Sequence, residues 1–327
     1  MLTLKATIVP LSAFGTLPKG DTLFGQLCWA VRNHFTEDRL RQLLKGYTAG
    51  NPFAVVSDAL PAGHLPRPVL PGHWFAPVAG GDRKVVKKLV WLPEERFAEP
   101  LETWLHHCRQ EGNVPGDPPR PRLAPQPHNA INRRTGTTGE GFAPYAMTQY
   151  WYDQWDSERE RGSRARLDIY VALDEERLDQ PRLGHLLSTI GEVGFGRDAS
   201  IGLGKFQVET LTQVSLPTQP EANAWLTLAP CAPLGPELDS HRSFYQVFTR
   251  FGRHGDIAVQ TGKPFKTPVL LAQTAAALVP KQYQRRVFVG QGLGGGGSLS
   301  KAIPETVHQG YAPVVGIRLP VQKEAMS

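Results

Sequence analysis

Six prolines fall between residues 111 and 128 of this 327-residue chain, and neither a helix nor the interior strand of a sheet survives such a run. Proline lacks the backbone N–H and crowds the preceding turn, so the segment must be a linker or the stem of an insertion. It delivers the stretch His128-Asn129-Ala130-Ile131-Asn132-Arg133-Arg134-Thr135-Gly136-Thr137-Thr138. Asn and Thr side chains bond to local backbone in turns, and Thr favours strands, so this stretch is expected to form an extended arm or hairpin. Two adjacent guanidinium groups among Asn, His and Thr suit a planar, phosphate-bearing partner, because guanidinium forks match phosphate oxygens and stack on bases. An ordinary exposed loop is the competing reading.

The flanking sequence supplies regular elements. Leu2, Leu4, Ala6 and Ile8 alternate with polar neighbours as in a half-buried strand. Asp21 or Thr22 can cap a helix carrying Leu23, Phe24, Leu27, Cys28 and Val31 at helical spacing, and Thr36 opens a second helix running to about Lys45. Phe53 to Val56 reads as a strand, residues 59–72 with four prolines as extended loop, and residues 94–109 as helix. Trp151, Tyr152 and Trp155 are core or stacking surface. Leu167, Ile169, Val171 and Leu173 alternate as a strand, Pro181 to Ile190 forms a helix, and another strand passes through Val208. The order is that of a ferredoxin-like βαββαβ unit with a large insertion. After a linker at residues 216–221 come further strands near residues 225–228, 243–249, 269–276, 287–289 and 311–319, with little helical periodicity. The expected fold class is α+β: two tandem ferredoxin-like domains, residues 1–212 with an insertion at about 111–163, and residues 213–327 as a degenerate second copy.

Charge narrows the function classes. Residues 241–301 hold nine Lys and Arg against the single acid Asp256, a surplus of eight that exceeds the chain's net +6. Such a segment points to a polyanion-facing surface, with a basic solvated face as the alternative. Cys28, Cys108 and Cys231 have no metal-ligand spacing, so neither zinc nor a disulfide framework is expected. The first residues lack the apolar core of a signal peptide, and no apolar run is long enough to span a bilayer, so the expected compartment is the cytoplasm.

Two glycine segments remain. Residues 292–297 satisfy GxGxxG, but Pro304 cuts the following segment short and no acid lies at the expected distance, so no nucleotide cofactor is expected. Glycines at Gly194, Gly196, Gly202 and Gly204, with Arg197, Ser200 and Lys205 among them, would let backbone N–H groups approach phosphates. Tight turns needing positive φ are the bland alternative.

Taken together, GDTLFGQLCWA from Gly20, PHNAINRRTGTT, GFGRDASIGLGKF and the late glycine loop with VHQGYAPVVGI resemble the RAMP superfamily. More narrowly they are similar to the subunit of type III-A CRISPR Csm complexes that caps the guide RNA's 5′ end, over residues 1 to about 320. The resemblance implies two RRM-like domains that hold the 5′ tag of the crRNA, a thumb-like hairpin that kinks the RNA, and a junction between the large polymerase/cyclase-like subunit and the backbone subunit. Carried onto this chain, the thumb spans about Pro127 to Thr138, with His128, Asn129, Asn132, Arg133, Arg134 and Thr137 as contacts. The loop from Gly194 to Lys205 would line the tag path, as would Lys263, Lys266, Gly292 and Gly294, and Lys19 would add a phosphate contact.

The resemblance implies an RNA-binding protein that is not an enzyme. The alternative is a metal-independent repeat-processing endoribonuclease with a His general base, for which His34 is the first candidate and His106, His107 and His128 are others. Asp21 has no carboxylate cluster around it, which disfavours a metal nuclease. A scaffold whose basic surface meets an acidic protein is a third class, disfavoured by the mixed Arg, Asn and His of the arm.

Overall fold

The structure, a computed structural model, describes residues 1–78, 82–112, 117–138, 143–152, 165–233, 237–255 and 264–320. Trp155, Asp256 and Lys263 lie outside the described residues.

β1 (Leu2–Pro10) leads into α1 (Gly20–His34) and α2 (Glu37–Leu44), then β2 (Ala54–Pro61). An inserted region follows with β3 (His64–Pro66), α3 (Arg83–Lys88), β4 (Trp91–Pro93), α4 (Trp104–His107), β5 (Arg122–His128) and β6 (Tyr145–Trp151). β7 (Leu167–Leu173), α5 (Gln180–Val193) and β8 (Phe206–Gln213) complete the unit. The sheet order is β2-β7-β1-β8 with antiparallel neighbours, and α1 and α5 supply the crossovers. That is the ferredoxin-like order the periodicities predict. The alternation in β1 sends Leu4, Ala6 and Ile8 into the core beneath the helices, where Leu23, Phe24, Leu27, Leu183, Leu186 and Ile190 meet them. Thr36 caps α2 by accepting from the Arg39 N–H, and Asp179 caps α5 likewise from Arg182.

Three local expectations are corrected. α1 begins at Gly20, and neither Asp21 nor Thr22 caps it; Asp58, from β2, accepts the Gly20 N–H at 2.8 Å. Residues 94–109 are not one helix, because Pro100 divides them into single turns before the short α4. Residues 59–72 are not wholly loop: β2 runs to Pro61 and β3 pairs with β4, the prolines lying at strand ends where no ladder N–H is needed.

Beyond residue 213 come β9 (Ala224–Thr227), β10 (Val247–Arg250), β11 (Val269–Ala272), β12 (Ala277–Leu278), β13 (Phe288–Gly294) and β14 (Val307–Ile317). Four of them form an antiparallel sheet ordered β12-β9-β14-β13, while β10 and β11 stand apart as a ribbon. Its first strand adjoins the second and fourth instead of the third and fourth, and no α-helix lies beyond Val193 among the described residues. A four-stranded antiparallel sheet is what this region shares with the first.

The two sheets are spliced together. One core cluster joins Leu60 and Tyr170 of the first sheet to Leu226, Val315 and Ile317 of the second, with Leu92, Phe97 and Trp104 of the inserted region between them. β7 is therefore buried along its whole length. The fully buried amide of Gln309 on β14 acts as a strand neighbour: it accepts from the Val56 N–H and donates to the Val56 carbonyl, both at 2.8 Å. The register of β2 against β7 shifts between Val56 and Ala59, and there the Asp58 N–H turns to the Leu228 carbonyl. The expected linker is packed too, with Gln219 buried and bonded to Glu99 and Arg318.

Gln309→Leu keeps the volume but strands a buried N–H and a buried carbonyl, each costing about 1–3 kcal/mol. Urea denaturation should show the variant destabilised by about 3 kcal/mol. A loss near zero would mean that the Val56 backbone finds other partners.

Candidate nucleic-acid interface

The Arg-rich arm is a hairpin. β5 and β6 pair from Arg122↔Trp151 to His128↔Tyr145. The tip is a turn closed by the Asn132↔Thr137 bridge, with Asn132 Oδ1 accepting the Arg134 N–H at 3.0 Å and Gly136 at φ 68°. Arg133 and Arg134 are exposed, and no described residue pairs with either. His128 stacks on Tyr145, ring centroids 5.2 Å apart, at the top of the ribbon, while Asn129 and Thr137 are exposed.

The ribbon's base is locked to the body. Phe14 and Tyr150 exchange backbone hydrogen bonds at 2.8 and 2.9 Å. Arg197 donates its N–H to Thr16 Oγ1, and its guanidinium reaches the Thr148 carbonyl and Met147 Sδ. Arg197, expected on the RNA path, thus holds the hairpin in position. The glycine loop around it is folded on itself and on residues 11–16. Phe195 donates to the Gly204 carbonyl, Gly204 to Ala13, Gly194 to Ile190, Gly202 to Ala199 and Lys205 to Ser12 Oγ. These bonds occupy many of the amides that would otherwise face phosphate; those of Gly196 and Ser200 make no such bond among the described residues. A Cβ on Gly15 would stand 2.3 Å from the Arg197 carbonyl oxygen, so this close approach requires glycine. The Lys205 side chain is exposed.

Opposite the arm stands the β10–β11 ribbon, and the two bound a groove of about 460 Å³. Gly15, Thr16, Leu17 and Lys19 line it from the first unit, Tyr150 from the arm, and Pro230, Phe248, Arg250, Gln273 and Thr274 from the second unit. Sequence reasoning placed Lys19 here and missed the others. The alternation Phe248-Thr249-Arg250 inside the basic segment was the available signal, since it puts an aromatic ring and a guanidinium on one face of a strand.

Each cation of the groove is gripped from behind by a buried carboxylate. Lys19 Nζ lies 2.8 Å from Asp58 Oδ2, which also accepts from the Thr274 hydroxyl. The Asp58 charge outweighs burial and raises the Lys19 pKa. Arg250 donates to Asp21 through Nε at 2.6 Å and Nη2 at 3.0 Å, and its guanidinium lies 4.9 Å from the Phe248 ring centroid. His308 Nε2 is 3.3 Å from the same carboxylate. Burial pushes the Asp21 pKa up, but contact with His308 and the charge of Arg250 prevail and hold it below the ordinary aspartate value. Lys266 packs its stem against Gly252, and burial depresses its pKa.

The remaining candidates lie elsewhere. A Cβ on Gly292 would meet the Tyr47 carbonyl oxygen at 2.5 Å and one on Gly294 the Thr306 carbonyl oxygen at 2.4 Å, so both serve close backbone packing. His34 is exposed at the far end of α1, its ring 4.4 Å from that of His185. A 15-residue helix puts it about 20 Å from Lys19. No group of three or more His, Cys, Asp or Glu that could hold a metal ion exists among the described residues, and no helix there is long and apolar enough to cross a membrane.

No family model and no curated protein matches the sequence. Solved structures do resemble the fold. A chain of the Csm1–Csm4 cassette in complex with pppApA is 16% identical, with 97% of this chain and 99% of that one covered and a TM-score of 0.56. The cassette in complex with cA4 gives 14% identity, 98% and 99% coverage and a TM-score of 0.56. The Csm3–Csm4 subcomplex of the type III-A CRISPR-Cas interference complex gives 10% identity, 93% and 98% coverage and a TM-score of 0.50. The RAMP-like likeness read from the four motifs is therefore borne out as a fold, over almost the whole chain.

Because the folded-state pKa of Asp21 is depressed, its stabilisation is present above the unfolded carboxylate pKa and is lost as pH falls through the folded value. Asp21→Asn leaves Arg250 without its counter-charge, and breaking such a buried pair costs about 3 kcal/mol. In thermal melts from neutral to acid pH the variant should start lower and approach the wild type as acid protonates Asp21. A constant gap between the two curves would show that Asp21 does not titrate with folding.

Proposed function

We propose that this chain is the Csm4-like, RNA-binding subunit of a type III-A CRISPR effector complex, acting without catalysis of its own in cytoplasmic antiviral defence. It holds the 5′ tag of the crRNA and joins the large polymerase/cyclase-like subunit to the backbone RAMP subunit. The observation that carries this reading is the hairpin arm, whose tip offers the exposed guanidinium groups of Arg133 and Arg134, without a partner among the described residues, and whose base at Tyr150 borders a groove closed by a second ribbon. Paired Arg at the tip of a fixed ribbon suits a phosphate backbone, and Asn129, Asn132, His128 and Thr137 suit sugar and base edges. Lys205 and the Gly196–Ser200 stretch, at the arm's base, are the next contacts proposed, and Lys263, outside the described residues, is proposed from the sequence alone. Csm4 is the component common to the two kinds of assembly that resemble this fold, which supports Csm1- and Csm3-like protein partners.

The back of the β10–β11 ribbon supports protein partners independently. Tyr245, Val247, Phe251 and Leu270 are exposed there, with Phe265 beside them. Strand alternation puts Val247, Thr249 and Leu270 on the face away from Phe248 and Arg250, and Arg253 borders that apolar surface at the Phe265 ring.

The nuclease reading has less support, since His34 stands at the end of α1 remote from the groove. Labelled, unprocessed repeat RNA incubated with the purified chain, without metal and then with manganese, should be retained intact. Specific cleavage that disappears in His34→Ala would overturn the non-catalytic reading. Arg133→Ala with Arg134→Ala should weaken retention about tenfold at low salt and reduce the slope of log affinity against log salt by about 1.4, two single-strand phosphate contacts. Unchanged binding at every salt concentration would sink the arm assignment. Val247→Lys with Leu270→Lys should leave RNA retention intact and abolish co-purification with the other subunits; retained co-purification would free this face of that role.

A further inference from the structure

Resting on the RNA-binding reading, we infer that the groove between the two ribbons is a pocket for an unstacked nucleobase, not a phosphate site. Its two cations already have counter-charges in direct contact, Asp58 on Lys19 and Asp21 on Arg250, so the four groups sum to no net charge. A phosphate entering beside them would add an unbalanced negative charge next to two carboxylates that are almost wholly buried. Exposed guanidinium groups that meet no acid among the described residues are available instead at Arg133 and Arg134 on the arm.

What the groove keeps after neutralisation is planar and apolar surface with a few polar atoms at its edge. Tyr150 comes from one ribbon and Phe248 from the other, with Leu17 and Pro230 beside them. Asp21 fixes Arg250 through Nε and Nη2, leaving Nη1 without a hydrogen bond among the described residues and the guanidinium carbon 4.9 Å from the Phe248 ring centroid. Arg planes and aromatic rings are the surfaces on which single-stranded bases stack. Gln273 is exposed at the groove and offers both a donor and an acceptor to a base edge; Thr16 and Thr274 add hydroxyls. The volume of about 460 Å³ admits one nucleotide. Asp21 and Asp58 are positioning residues in this arrangement, because they act through the cations they hold.

Three short single strands of equal phosphate count separate the base from the backbone: oligoadenylate, oligouridylate and a fully abasic ribose-phosphate strand. Binding to the full-length chain is measured at several salt concentrations. Phe248→Ala should lose about tenfold affinity for the base-bearing strands, the scale of one stacked base. Its affinity for the abasic strand and its salt slope should match the wild type, and Phe248→Trp should restore the loss. Gln273→Ala, a change at an exposed position, should reduce the preference between oligoadenylate and oligouridylate, and it carries the test should Phe248→Ala fail to fold. Equal losses on all three strands, or a reduced salt slope, would make the groove a phosphate site and overturn the pocket while leaving the RNA-binding reading intact. A Phe248→Ala variant that binds as the wild type does would overturn the pocket as well. Wild-type chain that binds none of the strands would overturn both readings together.

Discussion

The Asp21 side chain has no exposed surface and still carries a depressed pKa, so its charge must be met inside the protein. Taking a carboxylate out of water costs several kcal/mol, and that cost is offset only by good geometry. Here the fork comes from Arg250 on β10 and the second contact from His308 on β14, whereas Asp21 itself sits in the first turn of α1. The compensation therefore exists only when the two halves of the chain have closed on each other. Asp58 repeats the device: one carboxylate caps α1 through Gly20, holds Lys19 and accepts from Thr274 of the second half. An apolar joint alone would tolerate sliding by a fraction of a side chain. A bidentate fork and an amide bonded to both polar groups of Val56 do not.

Local signals were legible wherever the cause is local. The alternation in β1 and β7, the Thr36 cap of α2 and the face of α5 all follow from residues within a turn or two of each other. Their order along the chain was enough to anticipate the βαββαβ unit, and the arm's hairpin was readable because Asn132 builds its own turn. What was not legible depends on distance in sequence. The cap of α1 comes from Asp58, 38 residues beyond Gly20, while the chain offers Asp21 and Thr22 at the expected place. Residues 292–297 match a dinucleotide fingerprint, yet Gly292 is small because Tyr47 of the first half lies against it. The second sheet has no helix to betray its order, and a strand of two residues such as β12 leaves no period to read.

Charge shows the same division more sharply. The surplus between residues 241 and 301 was plain in the sequence, but a count along the chain does not say which cations reach solvent unopposed. Arg250 ends on Asp21, and Arg286 ends on Glu237 and over Trp225. Lys266 lies against Gly252 at a depth that depresses its pKa. Arg197, in a loop read as phosphate-binding, fastens the arm to the body. Pairing redistributes the field: Arg250 joins the two halves of the molecule, while Arg253, Lys281, Arg285 and Lys301 stay exposed and, like Arg133, Arg134 and Lys205, meet no acid among the described residues.

That redistribution separates two physical tasks which a uniformly basic groove would confuse. A net positive protein attracts a polyanion over the range of the Debye length whatever its sequence, and exposed Arg pairs bind its backbone with the salt dependence of counterion release. Such contacts fix position without reading bases. Discrimination needs a place where the backbone is not welcome and a flat, partly polar surface is. A groove whose cations are cancelled by Asp21 and Asp58, and whose walls are Tyr150, Phe248 and Gln273, meets that requirement. The two buried aspartates thus couple the closure of the fold to the character of the groove, since the contacts that neutralise Lys19 and Arg250 are also those that bring the two halves together.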